Sequence, residues 1–221
     1  MCGRIALTLP HEAMVQLFDA APDNDLPAGP RYNICPTDSI PVCTSTGGQR
    51  RLRSMRWGFL PHWYDRPEGG PLLINARADT IAEKPAFRAA VRERRCLIPT
   101  DGFYEWTREK GKVPLPWFIH RADGRPLVLA GIWQDWERDG RRLSTCAIVT
   151  TDAGPALAAI HHREPVVLEE SDWPLWLGEA GHGAAPLMRA AADGVLVCHR
   201  VGTEVNSNRS SGPGLVEPVA L

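Results

Sequence analysis

The chain has 221 residues, 43% of them apolar, which is enough to bury one substantial core but short for two domains. Twenty-five Lys and Arg against 26 Asp and Glu give a formal net charge of −1, so no whole-protein field steers a polyanion and any nucleic-acid site must be a local patch. No run approaches about 18 apolar residues and no apolar signal-peptide core surrounds Arg4, so the sequence predicts neither a membrane span nor secretion but an intracellular, cytoplasmic protein.

In chain order, Pro10 opens an amphipathic stretch over 10–20 with Ala13, Met14, Leu17 and Phe18 on one face, a helix signature. The segment 21–37 holds four prolines and reads as an irregular crossing loop. Strand-like runs follow at 40–44, 52–59, 96–99, 117–120, 127–133, 144–150, 165–168 and 195–201. Short helices are predicted at 85–94 behind Pro85, at 155–160, at 172–177 with Ser171 as N-cap and Gly178 past the end, and at 185–192. Strands do not alternate with helices of crossover length, which disfavours a doubly wound parallel sheet. The expected fold is α+β: a single domain over 1–210 with a curved, mostly antiparallel, barrel-like β-sheet flanked by short helices. Residues 211–221 are expected to form a loosely held tail.

Six cysteines stand at 2, 35, 43, 96, 146 and 198, no two closer than eight positions, so neither a metal knuckle nor a redox pair has local support and no cofactor is expected. Cys35, Cys43, Cys96, Cys146 and Cys198 read as small buried hydrophobes. Cys2 differs because of its position. If Met1 is removed, Cys2 carries an α-amine and a thiol on adjacent carbons. The amine, with a reference pKa of about 7.7 to 8.0, is partly neutral near pH 7 and able to attack an aldehyde. The thiol can then close on the imine carbon to give a five-membered thiazolidine, in which two bonds must break before the aldehyde is released. The same residue is also suited to act as an N-terminal nucleophile in amide hydrolysis, with the amine as its base.

The chain resembles the SRAP (SOS response-associated peptidase) family, whose members shield abasic sites in single-stranded DNA. The matching blocks are Met1-Cys2-Gly3-Arg4, Arg31 to Thr37, Arg56 to Pro61, Asn75 to Thr80, Arg95 to Pro99 with Asp101 to Trp106, His161 with Arg163 and Pro165, and Val205-Asn206. The resemblance implies that Cys2 forms a thiazolidine with the ring-opened C1′ aldehyde of an abasic deoxyribose. It further implies that Asn75 hydrogen-bonds around the sugar, that Glu105 acts as general acid/base, and that His161 assists proton transfer or positions the opened sugar. Imine formation needs a proton carried from amine to departing oxygen, work suited to a carboxylic acid or an imidazole. The adjacent His162 is an alternative bearer of the His161 role. Strand cleavage at the abasic site by β-elimination is a further activity of the same imine.

For DNA holding, Arg4, Arg77 and Arg163 stand in the matching blocks beside the chemical residues, as phosphate contacts should, with Asn33 in the same set. Trp106 and Trp57 are candidates for stacking the flanking bases, whereas Arg88, Arg92 and Arg95 read as a solvated helix face. The cations are 22 Arg and 3 Lys, a skew that suits bidentate phosphate contacts and that a GC-rich genome also produces. The sequence departs from the family pattern at Asp79, where Glu is usual, at Thr100, where Ala is usual, and at Glu164, where Met is common. Glu164, a carboxylate beside that phosphate-contact candidate, is expected to weaken DNA affinity or to neutralise Arg163. The expected partner is single-stranded DNA containing abasic sites, bound by a monomer that associates with the nucleoid. The competing readings are an N-terminal-nucleophile cysteine hydrolase or peptidase acting on amides, expected to need a pro-sequence or an ammonia-receiving domain, and a non-catalytic single-strand binder with no requirement for an N-terminal Cys2.

Overall fold

A computed structural model describes residues 2–219. In chain order its strands are β1 (Ile5–Leu7), β2 (Ala21–Pro22), β3 (Arg31–Ile34), β4 (Ser39–Thr46), β5 (Gln49–Trp57), β6 (Asn75–Arg77), β7 (Arg95–Thr100), β8 (Gly102–Thr107), β9 (Leu115–Arg121), β10 (Leu127–Arg138), β11 (Arg141–Asp152), β12 (Arg163–Pro165) and β13 (Leu196–Arg200). The α-helices are α1 (His11–Phe18), α2 (Ala90–Glu93) and α3 (Trp173–Leu177).

Two tight hairpins start the larger sheet. Asp139 and Gly140 take φ of 50° and 75° between β10 and β11, and Gly47 and Gly48 take 58° and 79° between β4 and β5. Two consecutive positive φ values give the turn whose twist matches the strands it joins, which is why Gly stands there. β10 pairs β7 antiparallel, β7 meets β4 at Leu97 and Cys43, and β5 meets β11 in parallel through Arg56–Thr145 and Trp57–Cys146. The ring β11–β10–β7–β4–β5 is therefore closed, which leaves those five strands no free edge along the seam. Ile98, Ala130, Ile132, Ala147 and Ile148 are fully buried on the two faces of its strands, with Cys43, Cys96 and Cys146 buried beside them as free thiols.

The end of β11 projects past this ring and carries a short strand on each side: β6 in parallel at 148–150 and β12 antiparallel at 150–152. Asn75 and the segment leading to β12 are thereby fixed to one strand. β7 continues through Asp101 into β8 of a second, antiparallel sheet in the order β13–β9–β8–β1–β3. At this crossing the buried Thr100 hydroxyl donates to the Ala6 carbonyl at 2.6 Å and the Asp101 carboxylate accepts from Thr8 N–H at 2.8 Å.

A second small core, with Ala6, Tyr104, Phe118, Val201, Val205 and Leu215, lies between this sheet and the C-terminal segment. The expected loose tail is corrected here over its described part. Residues 213–216 form a 3-10 turn whose Leu215 is 5% exposed, and Val219 N–H bonds the Arg200 carbonyl at 3.0 Å. Apolar contact, not composition, decides its order; Ala220 and Leu221 lie outside the described residues.

The architecture is the expected single-domain, mostly antiparallel barrel-like fold with short helices. The differences are local. The crossing loop contains β2 and β3; the 85–94 helix contracts to α2; 155–160 is a run of turns; 185–192 keeps only a 3-10 turn at Ala185–Leu187. Ser171 lies inside a 3-10 turn (Glu170–Asp172) and caps nothing, while Gly178 does end α3 with φ of 83°.

Candidate active site

Short-range pairing builds the site. β1 runs antiparallel to β8, with Ile5 opposite Phe103 and Tyr104 N–H on the Arg4 carbonyl at 2.9 Å. Continuing that register sets Gly3 across from Glu105. Because strand side chains alternate, Phe103 and Glu105 face the barrel while Tyr104 and Trp106 face the C-terminal segment. Cys2, 1% exposed, packs in the barrel-side core. From β6, Asn75 Nδ2 donates to the Cys2 carbonyl at 2.8 Å, tethering residue 2 to the end of β11. Burial raises the Cys2 thiol well above its ordinary value, and the Glu105 charge pushes it in the same direction. Met1 lies outside the described residues.

Above Cys2 opens a cleft of about 770 Å³ lined by Gly3, Arg4, Glu105, Trp106, His161 and Asn206, with Arg108, Pro114 and His162 at its rim. Glu105 is 3% exposed. His161 closes a coil in which Leu157 and Ala158 N–H bond the Gly154 carbonyl and His161 N–H bonds Leu157. Its Nδ1 accepts from the Arg163 N–H at 3.0 Å, and its ring stacks on His162 with centroids 4.4 Å apart. Cys2, Asn75, Glu105 and His161 thus converge from four segments distant in sequence.

The candidate DNA-binding residues divide. Arg4 lies over the Trp106 ring at 5.8 Å and donates to Asn33 Oδ1 at 2.5 Å and to the Val205 carbonyl at 2.9 Å. Asn33 also donates to the carbonyls of Ser207 and Ser210, so it ties Arg4 to the C-terminal segment. Trp106 Nε1 donates to Asn206 Oδ1, which leaves the indole face along the cleft. Arg77 is exposed, clear of the cleft lining, and paired with Asp79 at 2.8 Å. Arg163 is 3% exposed and spends its guanidinium on Asp152, Asp79 and the Thr150 carbonyl. Trp57 is fully buried with Nε1 on the Ile74 carbonyl, so the stacking expected of it is corrected: it is a barrel residue.

Glu164 does not neutralise Arg163. Strand alternation sends its carboxylate to the other side, where it accepts from Gly154 and Ala191 N–H, each at 2.8 Å. Burial, partly opposed by these two bonds, raises its pKa. Sequence reasoning missed Asn206, Arg108 and Pro114 as lining residues. Only Asn206 had a signal, the Val205-Asn206 block; the other two are brought in by the hairpin of β8 and β9. Among the described residues no group of three His, Cys, Asp or Glu is arranged to hold a metal ion, and no helix is long and apolar enough to cross a membrane.

The site thus sits where a closed β-barrel joins an antiparallel sheet, with the buried Cys2 between a carboxylate and an amide next to a cleft. The sequence profile of the SOS response-associated peptidase (SRAP) family matches residues 1–208, and the chain belongs to that family. It is 34% identical to the abasic site processing protein YoqW of Bacillus subtilis over 98% of this chain and 99% of that one. It is 31% identical to YedK of Escherichia coli, also an abasic site processing protein, over 99% and 100%. A structure of a Bacteroides thetaiotaomicron protein shares the fold, with a TM-score of 0.87 at 23% identity over 99% and 100% of the two chains.

Proposed function

We propose that the protein processes abasic sites in single-stranded DNA by forming a thiazolidine between Cys2, freed of Met1, and the ring-opened deoxyribose. The observation that carries this reading is the seating of the buried Cys2 beside Glu105, with its carbonyl held by Asn75 and its neighbour Gly3 on the lining of the cleft that Glu105 and His161 share. The names of the relatives supply the substrate. In the first step the α-amine adds to the C1′ aldehyde, and loss of water gives an imine. In the second the thiol sulfur adds to the imine carbon and its proton passes to nitrogen, so atoms and charge balance without a cofactor. Because burial raises the Cys2 thiol, ring closure needs an acceptor for the sulfur's proton as the S–C bond forms, and the imine nitrogen supplies one. Glu105 and His161, both on the cleft, move protons to and from the departing water.

DNA lies along the cleft, with a base on the exposed face of Trp106 and phosphates near Arg4 and Arg108, and a further phosphate outside the cleft meets the exposed Arg77. The burial of Arg163 supports a bracing role ahead of phosphate contact. Duplex DNA is a poor substrate because a stacked helix holds the sugar away from a recessed Cys2. Strand cleavage is limited because ring closure removes the imine from which β-elimination proceeds.

Abasic single-stranded DNA incubated with the protein is expected to give a heat-stable adduct on a denaturing gel. Cys2→Ser should lose it while a borohydride-reducible imine persists. A stable adduct at the wild-type level in Cys2→Ser, or an active protein that retains Met1, would overturn the proposal.

A further inference from the structure

Glu164 is a carboxylate with 1% of its surface exposed, and nothing in the chemistry above uses it. Its two oxygens are divided between two segments. Oε2 accepts from Gly154 N–H and Oε1 from Ala191 N–H, both at 2.8 Å. Gly154 is the first residue of the coil that ends in His161: its carbonyl receives Leu157 and Ala158, and Leu157 in turn receives His161 N–H at 2.9 Å. Ala153 N–H bonds the His162 carbonyl at 3.0 Å and closes the base of the same arm. Ala191 belongs to the loop lying against it, where a methyl group built on Gly154 would stand 3.4 Å from Ala190 Cβ. The neighbouring Arg163 faces the opposite way, into Asp152 and Asp79.

We propose that Glu164 is a positioning residue for His161: its carboxylate latches the start of the His161 arm to the 184–195 loop and so holds the imidazole in the cleft. A charged acceptor serving two backbone N–H groups is stronger than a neutral one, which suits a role as a fixed point. An apolar residue of the same length fills the volume but leaves both amides without an acceptor, and the arm then loses its tie to the 184–195 loop while keeping only the Ala153–His162 bond at its base. The inference rests on the proposed crosslinking chemistry, through which the position of His161 is read.

The test compares the maximal rate of adduct formation and the DNA concentration that half-saturates it in wild type, Glu164→Gln, Glu164→Met, His161→Ala and the two double variants. Gln keeps shape but turns an N–H donor toward a backbone N–H, and Met keeps length and apolar fit should Gln fail to fold. Each Glu164 variant is expected to lower the maximal rate on the order of tenfold, as displacement of a reacting group by a fraction of an ångström does, with half-saturation unchanged. In the His161→Ala background the same substitutions should add no further slowing. Wild-type rates in both Glu164 variants, or equal slowing with and without His161, would overturn the proposal. Absence of any adduct in wild type would instead refute the crosslinking reading, so the two failures are distinguishable.

Discussion

Three residues depart from the family pattern, and each has hydrogen-bond partners in this structure. Thr100 gives its hydroxyl to the Ala6 carbonyl in a fully buried crossing, Glu164 receives two amides, and Asp79 bridges Arg77 and Arg163. Thr100→Val, which keeps volume and removes the donor, should cost about 1 kcal/mol in urea unfolding and leave adduct formation unchanged. A loss of activity without loss of stability would show that position 100 matters to the site directly. Asp79 holds Arg77 in a two-point pair at 3.2 and 2.8 Å on the surface, so a phosphate approaching Arg77 must displace it. Asp79→Asn should tighten binding to intact single-stranded DNA several-fold. It should also steepen the salt dependence by up to one counterion, roughly 0.7 in log–log slope, as read by fluorescence anisotropy. An unchanged slope would place Arg77 outside the DNA path.

At the scale of elements, the long amphipathic pieces were legible in the sequence and the site-bearing ones were not. The hairpins β4–β5 and β10–β11 and helix α1 announce themselves through alternating or helical apolar patterns. β1, β3, β6 and β12 have three or four residues each, too few for a pattern, and exist because a distant partner offers its edge. Three of these carry or flank Cys2, Asn75 and the His161 arm, so the residues were identifiable from their blocks while their convergence was not. Apolar content likewise promised helices at 155–160 and 185–192. A tertiary bond competes at 185–192, where Ala191 N–H is committed to the Glu164 carboxylate, and 155–160 keeps only turn bonds to Gly154 and Leu157 behind a Gly154 whose own N–H is held by Glu164. The same logic applies to β12, where Arg163 is a brace between β11 and Asp79. Arg163→Met should cost roughly 1–3 kcal/mol of stability, because it strips a buried partner from the Thr150 carbonyl and a cation from two solvent-exposed carboxylates. The salt slope of DNA binding should stay at its wild-type value, and a shallower slope would show that Arg163 does reach phosphate.

For the molecule as a whole, burial and ion pairing drive carboxylates in opposite directions, and stability should follow both. Asp101 and Glu164 have raised pKa values, with burial the leading cause. Their folded-state values exceed the unfolded ones, so their contribution is fully present below the ordinary carboxylate range and is lost as pH rises through the raised values. Asp135 and Glu179 have lowered values despite burial, because Ser144, Arg142 and Arg53 in one case and Arg50 in the other hold the ionised form. Their contribution is present above the ordinary range and disappears as pH falls through the lowered values. In the difference between wild type and Glu164→Gln, measured as urea midpoints from pH 7 to pH 3, the wild type should gain relative to the variant as pH falls toward 4. In the matching difference for Glu179→Gln, the wild type should lose its advantage below pH 4, as the Arg50 pair at 2.7 Å is broken by protonation. A Glu164 difference that is flat in pH would mean that the two amide bonds offset burial, and that the latch carboxylate titrates as it does in the unfolded chain.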